Sequence, residues 1–192
     1  MFRFLVRLGK IVEVVNGFEE ETSLQNIVYF WEQLAHSDEF ELDYHFKWDS
    51  HGPYSPKLSE HIRRAIILDF LKKVLVKNKS LVNASLPPKI LYKPAANLQR
   101  FEKKYTLTKS EQHALNRLAQ FCEGRSSREL ELLAAIHYFL HEISSLSHDM
   151  DLLKDVKTIV FEKIDSYKPK GFNKAEKETA WNYLKTCEFV GI

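Results

Sequence analysis

The chain has 192 residues, 44% of them hydrophobic, with six glycines and six prolines, a composition that suits a soluble globular protein of one large domain or two small ones. Lys and Arg number 28 against 26 Asp and Glu, so the net charge of +2 excludes a chain drawn wholesale to polyanions, while leaving room for a local basic face. Arg3, Arg7, Lys10 and Glu13 break up the apolar N-terminus, which therefore reads neither as a secretory signal nor as a membrane span. A cytoplasmic protein without membrane contact is expected, with Cys122 and Cys187 as reduced, partly buried thiols lacking metal-ligand spacing.

Phe4, Leu5, Leu8, Ile11, Val12 and Val15 recur at helical spacing, so residues 2–15 read as an amphipathic helix that Asn16 and Gly17 end. Thr22 and Gln25 have capping-box spacing, and the helix they would open is apolar around most of its circumference, through Leu24, Ile27, Val28, Phe30, Trp31 and Leu34. Such a helix belongs at the centre. From Phe40 to Trp48 every second residue is apolar, which predicts a half-buried strand over 39–49. Gly52 and Pro53 make a tight turn, Ser55 is an N-cap and Pro56 a first helical residue. The helix they open, 56–73, points Leu58, Ile62, Ala65, Ile66, Phe70 and Leu71 inward and leaves Lys57, Arg63, Arg64, Lys72 and Lys73 to solvent. Leu81–Val82 and Ile90–Tyr92 read as two short strands pairing with the long one, or else as loop anchors.

Helix, helix, strand, helix, hairpin is the order of a winged-helix-like unit, here over 1–96. From 97 to 192 only helices are expected, packed on that unit or continuous with it. Thr108 with Glu111, Ser126 with Glu129 and Asn173 with Glu176 mark three helix starts, and Gly124 marks a helix end. The fold class is thus mainly α with a small β-sheet.

The turn after the strand crowds Lys47, Trp48, His51, Tyr54 and Lys57 near a helix start, where an anion or a partner could be held. Alternatively, Trp48 and Tyr54 pack the turn onto the core and His51 bonds to backbone. The 56–73 helix, with Lys57, Arg63, Arg64, Lys72 and Lys73, would be the recognition helix if the partner is duplex DNA, or a solvated face interspersed with Glu60 and Asp69. His137 and His141 lie four apart, with His148, Asp149 and Asp151 as further candidate ligands, but without the Glu of a metalloprotease motif they read as packed or surface histidines. There is no nucleophile elbow and no glycine-rich phosphate loop, so neither an enzyme nor a cofactor is expected.

Thr22, Leu24, Gln25, Ile27, Val28 and Tyr29 resemble a helix start of the YwgA-like family of bacterial and archaeal proteins, and Gly52, Pro53, Tyr54 and Ser55 resemble its Gly-Pro-aromatic-Ser turn. Glu131, Leu132, Leu133, Ala134, Ile136 and His137, and later Lys168, Pro169 and Phe172, are similar to two further motifs of that family. Asn26 and His51 depart from it, standing where the family has Lys and an aromatic. The family's first half in turn resembles the antitoxin domain called Panacea. The resemblance implies a regulatory or antitoxin-like module whose partner is another protein, such as a toxin, or a second copy of itself.

Overall fold

A helix that is apolar on every side has one place to go, the interior. In the computed structural model, which describes residues 2–37, 40, 42–76, 89–146, 155–168 and 171–187, α2 (Glu21–Ser37) is that helix: Ser23 to Glu32 are buried without a break. It packs against α5 (Lys109–Cys122) and α6 (Ser127–Leu146), so one core joins the N-terminal and C-terminal halves. The fold is mainly helical, with eight helices and two two-stranded antiparallel sheets among the described residues.

The first helix, α1 (Phe2–Val14), lays Leu5, Leu8, Ile11 and Val12 on this core, and it ends where Asn16 and Gly17 take positive φ values of 57° and 91°. Its polar side carries Arg3 and Arg7 to Glu111, whose side chain is fully buried. Arg3 Nη2 donates at 3.1 Å and Arg7 Nε at 2.7 Å, and Glu111 also takes the Thr108 N–H at 2.6 Å to complete the capping box of α5. Burial alone would raise the carboxyl's pKa; the Thr108 N–H, Arg7 and Arg3 outweigh it and hold the group below its ordinary value.

Several predicted boundaries move. Thr22 and Gln25 form no capping box, because α2 already starts at Glu21 and the Gln25 amide is occupied elsewhere. The strand expected over 39–49 contracts to β1 (Lys47–Asp49), since Asp43 and His45 adopt φ of 55° and 51° and break the extended run. Its alternation survives as burial alone: Tyr44 is buried and Leu42, Phe46 and Trp48 half-buried, while Asp43, His45 and Lys47 are exposed. β1 then pairs with its neighbour β2 (Gly52–Tyr54), not with the later hairpin.

The helix expected over 56–73 is α3 (Pro56–Ile67), and it stops in a Schellman arrangement: Asp69 takes φ 55°, its N–H bonds to Ile66 O at 3.1 Å, and Phe70 N–H bonds to Ala65 O at 2.8 Å. Phe70 is thereby driven into the core, fully buried. Residues 71–73 open β3 (Leu71–Val76), which pairs antiparallel with β4 (Lys89–Pro94), placing Leu75 opposite Ile90. Their third neighbour is Phe18, between α1 and α2, bridged to Tyr92 with rings stacked at 4.6 Å. Leu81 and Val82, expected as a strand, lie outside the described residues.

The later chain is helical as predicted: α4 (Ala96–Glu102), α5, α6, α7 (Val156–Tyr167) and α8 (Lys174–Thr186). α6 runs on through Ser144 and Ser145 to Leu146. Leu152 and Leu153 lie outside the described residues, whereas Val156, Val160 and Ile164 line the buried side of α7. Cys122, buried, and Cys187, half-buried, are both free thiols, and burial pushes Cys122 up to about 12. Among the described residues no helix is long and apolar enough to cross a membrane.

Glu111→Gln should cost roughly 2–4 kcal/mol at neutral pH, because two guanidinium groups lose their carboxylate while the capping box of α5 can still form. The Glu111 pKa is lower in the folded than in the unfolded chain, so its contribution is complete above about pH 4.3 and is lost as pH falls through the folded value. Denaturant unfolding of both proteins should therefore differ at pH 7 and converge as acidification carries the pH below the lowered Glu111 pKa of the folded chain.

Candidate binding surface

The turn between β2 and α3 is held from inside by one side chain. Gln25 of α2 accepts the Ser55 N–H at 3.0 Å and donates to Ser55 O at 3.2 Å and to Ser59 Oγ at 2.9 Å, so its amide pairs with the peptide as a neighbouring strand would. Ser55, fully buried, caps α3 by accepting Leu58 N–H and donates to Tyr44 O at 2.5 Å. Two turns further along α2, Glu32 accepts the Tyr44 N–H at 2.7 Å. Tyr29 lies between them, its hydroxyl 2.7 Å from His137 Nδ1 on α6, and burial raises the phenol's pKa well above its ordinary value.

The hairpin β1–β2 wedges between α2 and α6. Trp48 turns toward α6, with its ring 4.3 Å from Phe139 and 5.6 Å from Tyr138, while its backbone N–H donates to the Tyr138 hydroxyl at 3.1 Å. Gly52 has φ 118° and sits against Asn26, whose Oδ1 lies 2.6 Å from where a Cβ would be and has no hydrogen-bond partner. Asn26 and Gly52 thus meet face to face.

The sequence-predicted turn residues are not gathered round one ligand. Lys47 and Tyr54 are cross-strand partners on one side of the hairpin, with Trp48 and Pro53 on the other. His51 is exposed at the tip, 2.8 Å from Ser50 Oγ, and lines a cavity of about 220 Å³ that neither Lys47, Tyr54 nor Lys57 lines. Lys57 is committed to Asp43, donating to its carbonyl and carboxylate at 2.8 Å, and this bond together with the His45 and Lys57 charges lowers the Asp43 pKa. The start of α3 is itself largely closed: Pro56 has no N–H, and the Leu58 and Ser59 N–H groups are taken by Ser55. His137 is buried on Tyr29 whereas His141 is exposed, and no metal-holding group of His, Cys, Asp or Glu occurs among the described residues; His148, Asp149 and Asp151 lie outside them.

No protein-family model matches the chain, and no curated protein is similar to it. The surface must therefore be read from its own residues. Arg63 and Arg64 are exposed on α3, Arg64 paired with Glu60 one turn back. Lys72 and Lys73 project from β3 rather than from a helix, on opposite faces of the hairpin, and Lys73 lies 5.4 Å over the Tyr92 ring. What sequence reading missed is the apolar part of this surface, Ile67, Leu75, Val76 and Ile90, because a half-buried strand and an exposed one share the same period.

Gly52→Ala should destabilise the protein by about 1–3 kcal/mol, since alanine resists this φ and its methyl would press on Asn26. Thermal unfolding should show a drop of roughly 2–4 °C for each kcal/mol lost in a chain of this size.

Proposed function

We propose that the protein is a non-enzymatic regulatory module that binds a partner protein, in the manner of an antitoxin, through a winged-helix-like N-terminal unit. The observation that carries this reading is where exposed apolar side chains fall. Of the six large ones among the described residues, five lie at the end of α3 and on the β3–β4 hairpin: Ile67, Leu68, Leu75, Val76 and Ile90. Ile67 is 74% exposed and Leu75 68%. Apolar groups concentrated in this way mark a surface that another molecule covers.

Charge narrows the partner. Arg63, Lys72 and Lys93 are without a carboxylate at ion-pair distance among the described residues, and Lys73 and Lys89 stand beside them, Lys89 paired with Glu19. An apolar patch ringed by cations is complementary to an apolar segment flanked by acidic residues. The chain order α1, Phe18 bridge, α2, the β1–β2 hairpin, α3, β3, β4 supports the winged-helix-like reading, with the third strand of the later sheet reduced to Phe18. The resemblance of the Gly52 to Ser55 turn to the YwgA-like family supports the antitoxin-like role.

Duplex DNA is the second reading, favoured by the unpaired Arg63, Lys72 and Lys93 on α3 and the hairpin. The two separate by variant. For a protein partner, complexes recovered at native expression should be lost in Leu75→Ser/Ile90→Ser while the variant stays folded by circular dichroism; free monomer from both proteins contradicts it. For DNA, binding should weaken steeply with salt and fail in Arg63→Glu/Arg64→Glu; duplex binding unchanged in that variant removes it.

A further inference from the structure

On the side of the molecule formed by α6 and α8, a cavity of about 350 Å³ opens between the two helices. We propose that it binds a small amphipathic monocarboxylate, an acid with a short aliphatic or aromatic body. The size falls at the small end of ligand pockets, roughly 300–1,000 Å³. Its floor is apolar: Leu132 and Leu133 from α6, Phe172 from the turn before α8, and Ala180 from α8 are all buried.

The polar rim carries two guanidinium groups and two carboxylates, and they differ in the bonds they already make. Glu129 is spent on the start of α6, accepting Ser126 N–H at 2.8 Å and its hydroxyl at 2.7 Å. Glu176 is spent on the start of α8 and on a neighbour, accepting Asn173 N–H at 2.7 Å and Arg128 Nε at 3.2 Å. Arg128 is further held by Gly171 O and stacked over Phe172 at 4.7 Å. Arg125 differs from all of these. Its guanidinium lies 3.6 Å over the Tyr183 ring and gives Nε to Phe121 O at 2.9 Å, and no carboxylate is at ion-pair distance among the described residues.

A flat, half-buried guanidinium fixed by stacking, with its terminal nitrogens uncommitted to an acid, is pre-organised for a bidentate carboxylate. The carboxylate would sit on Arg125 and the hydrocarbon would lie over Leu132, Leu133, Phe172 and Ala180. A charged head and an apolar body are both required to use the whole site.

The test is calorimetric titration of the purified chain with octanoate and with phenylacetate, using octanol as the uncharged counterpart. The expected result is saturable one-to-one binding of at least one acid, weakened roughly tenfold or more in Arg125→Gln, with octanol binding far more weakly and insensitive to that change. Arg125→Lys, which keeps the charge and loses the fork, should fall between. Thr179→Trp, at the exposed mouth on α8, should block the acids while leaving the thermal transition in place. Absence of saturable binding by either acid, acid binding indifferent to Arg125→Gln, or octanol binding as tightly as octanoate would each overturn the proposal.

Discussion

The pairing of the Gln25 amide with the Ser55 peptide is the contact on which the N-terminal architecture depends. A glutamine buried on an enclosed helix costs desolvation unless every polar atom is met, and here Oε1 and Nε2 are both met by the turn that begins α3. Because α2 is locked between α5 and α6, the bond fixes where α3 starts relative to the C-terminal half. Glu32 fixes Tyr44 in the same way, so the irregular segment 42–46 has a defined course without a strand ladder. The polar residues of α2 are thus what its apolar surroundings make selective: only one arrangement of the following segment satisfies them.

From that anchor the exposed surface follows. α3 leaves the turn at a set angle, ends at Asp69, and passes the chain through buried Phe70 and Leu71 into β3. The hairpin is then tethered by Tyr92 on Phe18, close to its base, while Leu75 and Ile90 stand further out. Trp48 connects the same turn to Phe139 in the middle of α6, the helix whose N-terminal turn lines the cavity beside Arg125. One helix therefore touches both the β1–β2 hairpin and the proposed cavity.

Helix starts were the most legible part of the sequence where the cap is local. Thr108 with Glu111, Ser126 with Glu129 and Asn173 with Glu176 each close on themselves, so three residues of spacing suffice to find them. Thr22 with Gln25 has the same spacing and fails, because Gln25 meets a partner 30 positions away that no local rule sees. The end of α3 was missed for a related reason: Asp69 takes the left-handed position usually marked by glycine. The period-2 run from Phe40 to Trp48 reported burial correctly and pairing wrongly, since alternation says which side chains face inward and nothing about ladder partners. Of the candidate residues, Arg63 and Arg64 were legible as an exposed basic face; the stacking of Arg125 on Tyr183 joins the α5–α6 turn to α8 and left no signal in spacing.

Amide hydrogen exchange on Gln25→Leu, which keeps the volume and removes the amide, addresses the role of that contact most directly. If Gln25 positions α3, protection should fall selectively over residues 52–60 while α5 and α6 keep theirs, and complex formation through the hairpin surface should weaken with it. Unchanged protection over 52–60, or a uniform loss across the whole chain, would contradict it.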